Sequence, residues 1–353
     1  MNYYIKNGWR MILPLIASLI LLAGCGKSAG GEIVPGKVNV VTSFYPIYEF
    51  ANAIGGEDAN VINLLPVGVE PHDWTPRSQD ILNTSKAELF LYNGAGLEGW
   101  APNFLKGLGK DANVKTVEVS DGIELIYSEG DDGHGHGEEG HGHEEEGHDH
   151  EAEGHDHEAE GHDHEAEGHD HEGNEETPDH HIDPHTWVSP KSAKIIVENI
   201  KNSYVEVDPD HRENYEKRYA ELVQKLDALD AKFTEELSKT SKHEIVVSHQ
   251  AFGYLSRDYG LTQHAIMGLS PEAEPRAQDL VNLSNMVKEE GIRYIFFEEL
   301  VSDKLAKTLA SEAGVETLVL NPVEGLTKDQ QKAGDNYFTL MEKNLQNLIL
   351  ALQ

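Results

Sequence analysis

The chain has 353 residues and a formal charge of −35, from 28 basic and 63 acidic side chains, with 20 His and a single Cys. One Cys excludes an internal disulfide framework, and the acidic balance argues against binding to phosphate backbones. The length is roughly twice that of a common domain, so two domains are the starting expectation.

The N-terminus reads as an address. Lys6 and Arg10 precede an apolar run from Met11 to Ala23. As a helix that run rises only about 20 Å, too short to span a bilayer comfortably, so a basic start and a short apolar core indicate a secretory signal over residues 1–24. It ends in Leu22-Ala23-Gly24-Cys25, which looks like a bacterial lipobox, with Cys25 as the lipidated first residue of the mature chain. A Gly/Ser/Lys stretch through Gly36 then makes residues 25–36 a tether, holding the protein on the outer face of a membrane.

From Val38 the pattern alternates strand and helix. Val38 to Phe44, Val61 to Leu65, Glu88 to Tyr92 and Val114 to Val119 read as strands; Pro46 to Ile54, Ser78 to Lys86 and Leu97 to Leu108 read as helices. After an insert, Pro190 to Val207 reads as a helix, closing a first lobe over residues 37–208. Pro209 to Lys239 is the strongest helix signal. Tyr215, Tyr219, Leu222, Leu226, Leu229, Phe233 and Leu237 recur at spacings of three and four and share one face. A rod of roughly 45 Å suggests a stiff connector over 209–239. The second lobe, 240–353, repeats the alternation. Its strands are Glu244 to Ser248, Leu261 to Met267, Arg293 to Phe297 and Glu316 to Leu320. Its helices are Ala251 to Tyr259, Pro275 to Glu290, Asp303 to Ala313 and Asp335 to Leu352. The fold class is α/β with parallel sheets.

The insert, residues 129–181, carries 22 acidic residues, no Lys or Arg, and 14 of the 20 His. Glu-Gly-His-Asp-His-Glu-Ala runs from Glu146, Glu153 and Glu160, and a fourth copy starts at Glu167. The histidines are His134, His136, His141, His143, His148, His150, His155, His157, His162, His164, His169, His171, His180 and His181. With almost no apolar residues the heptad cannot form a coiled-coil seam, and the metal-free segment is expected to be disordered. Imidazole binds zinc, copper and nickel, and neighbouring carboxylates attract cations, so the tract reads as accessory metal ligands.

Six His lie outside the tract. His72 lies beyond the second strand, His249 directly after the strand Ile245 to Ser248, and His185 before the helix at Pro190. Glu324 follows the last strand. Ligands in open α/β sheets sit beyond the carboxyl ends of strands, so three imidazoles and one carboxylate make a plausible tetrahedral zinc shell. Glu70, Glu298 and Glu299 are rival carboxylates by position. His211 and His243 read as surface residues, and His264 as packing within a strand near the cleft.

The motifs Gly-Val-Glu-Pro-His72-Asp-Trp, Asp-Pro-His185-Thr-Trp-Val-Ser-Pro, Val-Ser-His249-Gln-Ala-Phe-Gly-Tyr and Leu-Asn-Pro-Val-Glu324-Gly-Leu stand in this order behind the lipobox and around the acidic His tract. In this the sequence resembles the ZnuA/AdcA-type zinc-binding lipoproteins, the solute-binding subunits of metal ABC transporters (cluster A-I), over essentially the whole mature chain. The resemblance implies two (β/α) lobes bridged by one rigid helix, with the metal in the interlobe cleft on His72, His185, His249 and Glu324. Manganese-binding relatives usually carry a carboxylate at the third position, so His249 points to zinc. The implied function is capture of zinc(II), the transported ligand, by a monomer that docks on a permease driven by an ATPase. The Gly26-Lys27-Ser28 tripeptide has Leu21 where a phosphate loop needs its first Gly, so the full Gly-x-x-x-x-Gly-Lys-Ser/Thr loop is missing and the chain is not that ATPase. The alternatives are a manganese- or iron-binding subunit, a metal-dependent adhesin, and a secreted zinc hydrolase. The hydrolase would keep water in the fourth position, and the sequence lacks a His-Glu-x-x-His helix.

Overall fold

The structure, a computed structural model, describes residues 32–109, 112–129, 180–272 and 275–353. The chain divides into two compact units. The larger takes in the described residues up to Ile126 and from Ile182 onward, and the smaller is Tyr127–His181.

In the larger unit, strand β1 (Val38–Thr42) is buried along its whole length. Helix α1 (Tyr45–Gly55) follows, with Pro46 in its first turn, where the missing N–H is harmless. Then come β2 (Ala59–Asn63), α2 (Ser78–Thr84), β3 (Leu89–Tyr92), α3 (Ala101–Gly107) and β4 (Lys115–Glu118). Strands β5 (Tyr127–Glu129) and β6 (His180–Ile182) pair as a two-stranded sheet. The larger unit resumes with α4 (Pro190–Val207), whose first turn is capped by the Ser189 hydroxyl accepting from the Lys191 N–H, and α5 (Arg212–Leu237). It continues with β7 (Glu244–His249), α6 (Gly253–Tyr259), β8 (Thr262–Met267), α7 (Ala277–Glu289), β9 (Tyr294–Phe297), α8 (Lys304–Ala313), β10 (Glu316–Val319), α9 (Lys328–Ala333) and α10 (Tyr337–Leu352).

The two four-stranded sheets are parallel throughout and share one topology: β2-β1-β3-β4 in the first lobe and β8-β7-β9-β10 in the second. In each the strand order reverses at one crevice, between β1 and β3 and between β7 and β9. Each strand's alternating residues serve two cores, as a pleat requires. Val40 and Val247 point into a central cluster, while Val41 and Val246 point into separate outer clusters. The central cluster is continuous across both lobes. It joins Phe50 and Ile54, Ile200 and Tyr204 of α4, Leu226 and Phe233 of α5, and Leu340 and Leu345 of α10. The lobes are therefore two sheets on one shared core.

Helix α5 has 26 residues, about 39 Å long, shorter than the sequence pattern suggests. Pro209 opens a separate 3-10 turn, Pro209–His211, and His211 leaves helical geometry before α5 begins. Six of the seven apolar positions expected on one face are buried; Tyr219 is half-buried beneath the Lys201 ammonium, 5.2 Å from its ring centre. Helix α9 was not expected. It is closed by a capping box in which the Thr327 hydroxyl accepts from the Gln330 N–H and Gln330 Oε1 accepts from the Thr327 N–H. Among the described residues no helix is long and apolar enough to cross a membrane.

Candidate metal centre

Four side chains converge between the two sheets: His72, His185, His249 and Glu324, with one donor atom from each lying within 4.8 Å of all the others. His72 Nε2 is 3.1 Å from His185 Nε2, which is 3.2 Å from His249 Nε2. Glu324 Oε1 is 3.4, 3.4 and 3.7 Å from the Nε2 atoms of His72, His185 and His249. A tetrahedral zinc shell with bonds of about 2.0–2.1 Å has ligand–ligand edges of about 3.3–3.4 Å. The five distances above run from 3.1 to 3.7 Å and bracket that value. The side chains of His185 and His249 are 0 % exposed and Glu324 1 %, whereas His72 is 10 % exposed.

Each side chain is set by its local sequence. His249 is the last residue of β7, at the crevice beside β9, and Glu298 begins the turn after β9. Glu298 Oε1 takes the His249 Nδ1 at 2.7 Å and also faces the His249 backbone N–H. His185 is held in the same way by Asp183, two residues earlier, whose Oδ1 meets Nδ1 at 2.8 Å and accepts the His185 N–H at 3.0 Å. A carboxylate on Nδ1 fixes the tautomer and leaves Nε2 free to bind a metal. The His185 loop docks at the first-lobe crevice through Asn93, just after β3. Asn93 donates to the Pro184 carbonyl and accepts from the Thr186 hydroxyl. Tyr254 of α6 donates to the Asp183 carbonyl, and Gly253 must lack a side chain, since a Cβ there would stand 2.2 Å from Asp183 Oδ2.

Glu324 sits in a tight loop after β10. Val323 before it has φ 60°, a left-handed conformation that costs a β-branched residue about 1–3 kcal/mol. The surroundings hold it there. Trp187 Nε1–H donates to the Pro322 carbonyl at 2.7 Å, Asn321 Oδ1 accepts the Val323 N–H, and Asn344 of α10 brackets Asn321 from both sides. His72 lies on the loop after β2, where Glu70 accepts the His72 N–H at 2.9 Å and Trp74 packs edge-on against Trp100.

The electrostatics are those of a buried anionic cradle. Burial alone would raise the Glu324 pKa, but the three imidazoles outweigh it and hold the carboxyl well below the usual range. Glu324 Oε1 is nonetheless without a hydrogen bond among the described residues. It stands 3.4–3.7 Å from the three Nε2 atoms, a spacing that leaves room for a metal ion to meet all four donors. Burial lowers the His185 and His249 pKa values, but the neighbouring carboxylates reverse this, raising His185 and pushing His249 up to about 10.

The rival carboxylates take other parts. Glu298 stands behind His249, and Glu299 accepts from the Asn321 and Gln330 amides. Glu70 stands 3.9 Å from His72 Nε2, outside the group of four. His211 and His243 are exposed, His211 pairing with Asp208. His264 is a third exposed and pairs with Glu244 at 2.5 Å, so it is an edge residue rather than packing at the site. Cys25 and the tract histidines from His134 to His171 lie outside the described residues; His180 is described only in its backbone, and His181 is exposed. The residues that sequence reasoning missed are Asp183, Glu298 as an orienter, and Trp187. The signal for Asp183 was its place two residues before a candidate ligand.

The family model described as ZnuA, zinc-uptake complex component A periplasmic, matches residues 40–351. The zinc-binding lipoprotein AdcA of Streptococcus pneumoniae serotype 4 is 41% identical over 345 residues, covering 96% of this chain, while the chain spans only 60% of that relative's length. The high-affinity zinc uptake system protein ZnuA of Bacillus subtilis is 38% identical over 343 residues, 96% of each. The crystal structure of the Zn(II)-bound ZnuA-like domain of Streptococcus pneumoniae AdcA superposes with a TM-score of 0.68 at 37% identity, covering 90% of this chain and 99% of that one. With a match running from the first strand to the last helix, the chain belongs to the ZnuA family of zinc-uptake component A proteins.

Proposed function

We propose that this protein captures zinc(II) outside the membrane and hands it to an ABC permease for uptake. The observation that carries the reading is the site itself. Three Nε2 atoms and one orphaned carboxylate oxygen stand at the spacing of a tetrahedral shell, with two of the imidazoles tautomer-locked from behind. His72, His185, His249 and Glu324 are the ligands in this reading. A nitrogen-rich shell favours zinc over manganese, which prefers oxygen. Four protein ligands close the shell, so the reading assigns capture and release, not hydrolysis at a metal-bound water.

The parts of the chain divide accordingly. Residues 1–24 are the export signal, and Cys25 with the stretch to residue 36 is a lipid-anchored tether on the extracytoplasmic face. Residues 37–208 and 240–353 are the two lobes, and 209–239 the connector between them. The His-rich insert, 129–181, is an accessory segment that collects metal. The protein works as a monomer with membrane permease and ATPase subunits as its partners.

The test is calorimetry on protein lacking residues 1–25 and 129–181. One tight zinc site that excess manganese does not displace is expected. Absence of a tight site would transfer the receptor role to the deleted tract.

Capture is expected to weaken with acid. In the metal-free site the carboxylates raise the His185 pKa and push His249 to about 10, so zinc must displace protons there. Each proton displaced makes the apparent affinity fall about tenfold per unit of falling pH. Between pH 8 and 6 the dissociation constant should therefore rise by about a hundredfold or more, read by competition with a chelator of known pH dependence. A flat profile would show that the imidazoles are already deprotonated when zinc arrives.

A further inference from the structure

His72 is the one member of the group of four with appreciable exposure, 10 % against 0–1 % for the other three. Beside it is Glu70. This carboxylate lines a cavity of about 530 Å³ together with Met267, Leu280, Leu300 and Lys304, while standing 3.9 Å from His72 Nε2. It is held in place by two backbone groups, accepting the His72 N–H at 2.9 Å and the Asp73 N–H at 3.4 Å. The charged groups of the cavity are Glu70, Glu272 and Lys304. Among them only Glu70 comes within ion-pair distance of a donor atom of the site.

We infer that Glu70 is the relay through which zinc(II) passes between the cavity and the buried donors. The inference rests on the zinc-capture reading. A hydrated zinc ion cannot shed its waters all at once in a site whose other three members are sealed. A carboxylate at the mouth replaces part of the hydration shell while the ion is still in the cavity, and the ion then moves across to His72 Nε2. The placement suits a relay better than a permanent ligand. Glu70 lies outside the group of four, and its oxygens are engaged by the loop's own N–H groups. The relay makes and breaks only the metal's own ligand bonds, and the protons that zinc displaces from the imidazoles leave to solvent.

A relay lowers the barrier in both directions, whereas a residue that only shapes the His72 loop changes how firmly the ion is held. Stopped-flow mixing of the full chain with zinc chloride separates these. Intrinsic tryptophan fluorescence is the readout, since the Trp187 ring lies 5.4 Å from the His185 ring and reports on this site rather than on the tract. Glu70→Gln keeps an oxygen for the backbone and removes the charge. It should slow zinc association about tenfold, with slower dissociation as well, and the difference from wild type should shrink in high salt as the charge is screened. Glu70→Asp should restore most of the association rate. An unchanged association rate in Glu70→Gln overturns the inference, as does an affinity loss carried by faster dissociation alone. A wild-type chain that takes up no zinc overturns the capture reading and this inference with it.

Discussion

Replacing His249 with Ala is expected to lower zinc affinity by about two to three orders of magnitude while leaving the protein folded. Four-ligand zinc sites contribute roughly 10–16 kcal/mol at neutral pH, so one ligand's part is about 2.5–4 kcal/mol. Two features place His249 at the upper end. Its ring is fully buried, so no water can take its place without entering a sealed crevice. Its removal also takes from Glu298, a buried carboxylate, its 2.7 Å Nδ1 partner and leaves it only the weaker backbone N–H at 3.3 Å. Asp183→Asn is the milder control. It keeps His185 but weakens the group that orients it, and losses of about 10–100-fold are usual for such partners. Calorimetry on protein without the tract, with circular dichroism to confirm folding, gives both numbers. If His249→Ala binds zinc within about tenfold of wild type, the shell is not the one assigned here.

The order of strands and helices was largely legible because parallel α/β strands are buried on both faces and read as short apolar runs, as in Ile245 to Val247. The long helix was legible from its single apolar face. Its start was not, because Pro209 can open an α-helix or a 3-10 turn, and the choice depends on Asp208, whose side chain also holds His211 and Tyr215. Helix α9 is too short to show a period, and its only sequence signal was Thr327 followed three residues later by Gln330. The same kind of box, Asn336 with Thr339, sets the start of α10 at Tyr337 rather than Asp335. At the site, strand ends pointed to His249 and Glu324, since a parallel sheet sends its carboxyl ends to one side. What stayed hidden was which carboxylate does what. Glu298 and Glu324 both follow strands of the second lobe, and only the fold shows one behind the imidazole and the other in front of it.

Trp187 is the residue whose loss should do the most damage to the fold. Trp187→Ala is expected to destabilise the protein by about 3–5 kcal/mol, the range for emptying a large aromatic from a core that cannot collapse. The ring is fully buried, packs edge-on against Phe44 at 4.6 Å and lies against His185. Its Nε1–H reaches across to the Pro322 carbonyl, two residues before Glu324, and its own carbonyl accepts from the Tyr337 hydroxyl of α10. One side chain thus ties the first-lobe core, the His185 loop and the strained Glu324 loop together. Trp187→Phe separates volume from hydrogen bonding. It retains an aromatic ring and leaves the Pro322 carbonyl unpaired, at about 1–3 kcal/mol. Because that carbonyl helps hold Val323 at φ 60°, the Phe variant should also bind zinc more weakly even where it is fully folded. Urea unfolding of the metal-free variants gives the stability losses, and zinc titration well below the unfolding midpoint gives the affinities. A Phe variant that loses stability but keeps wild-type zinc affinity would show that the Glu324 loop is held by Asn321 and Asn344 alone, and that Trp187 supports the core without setting the site.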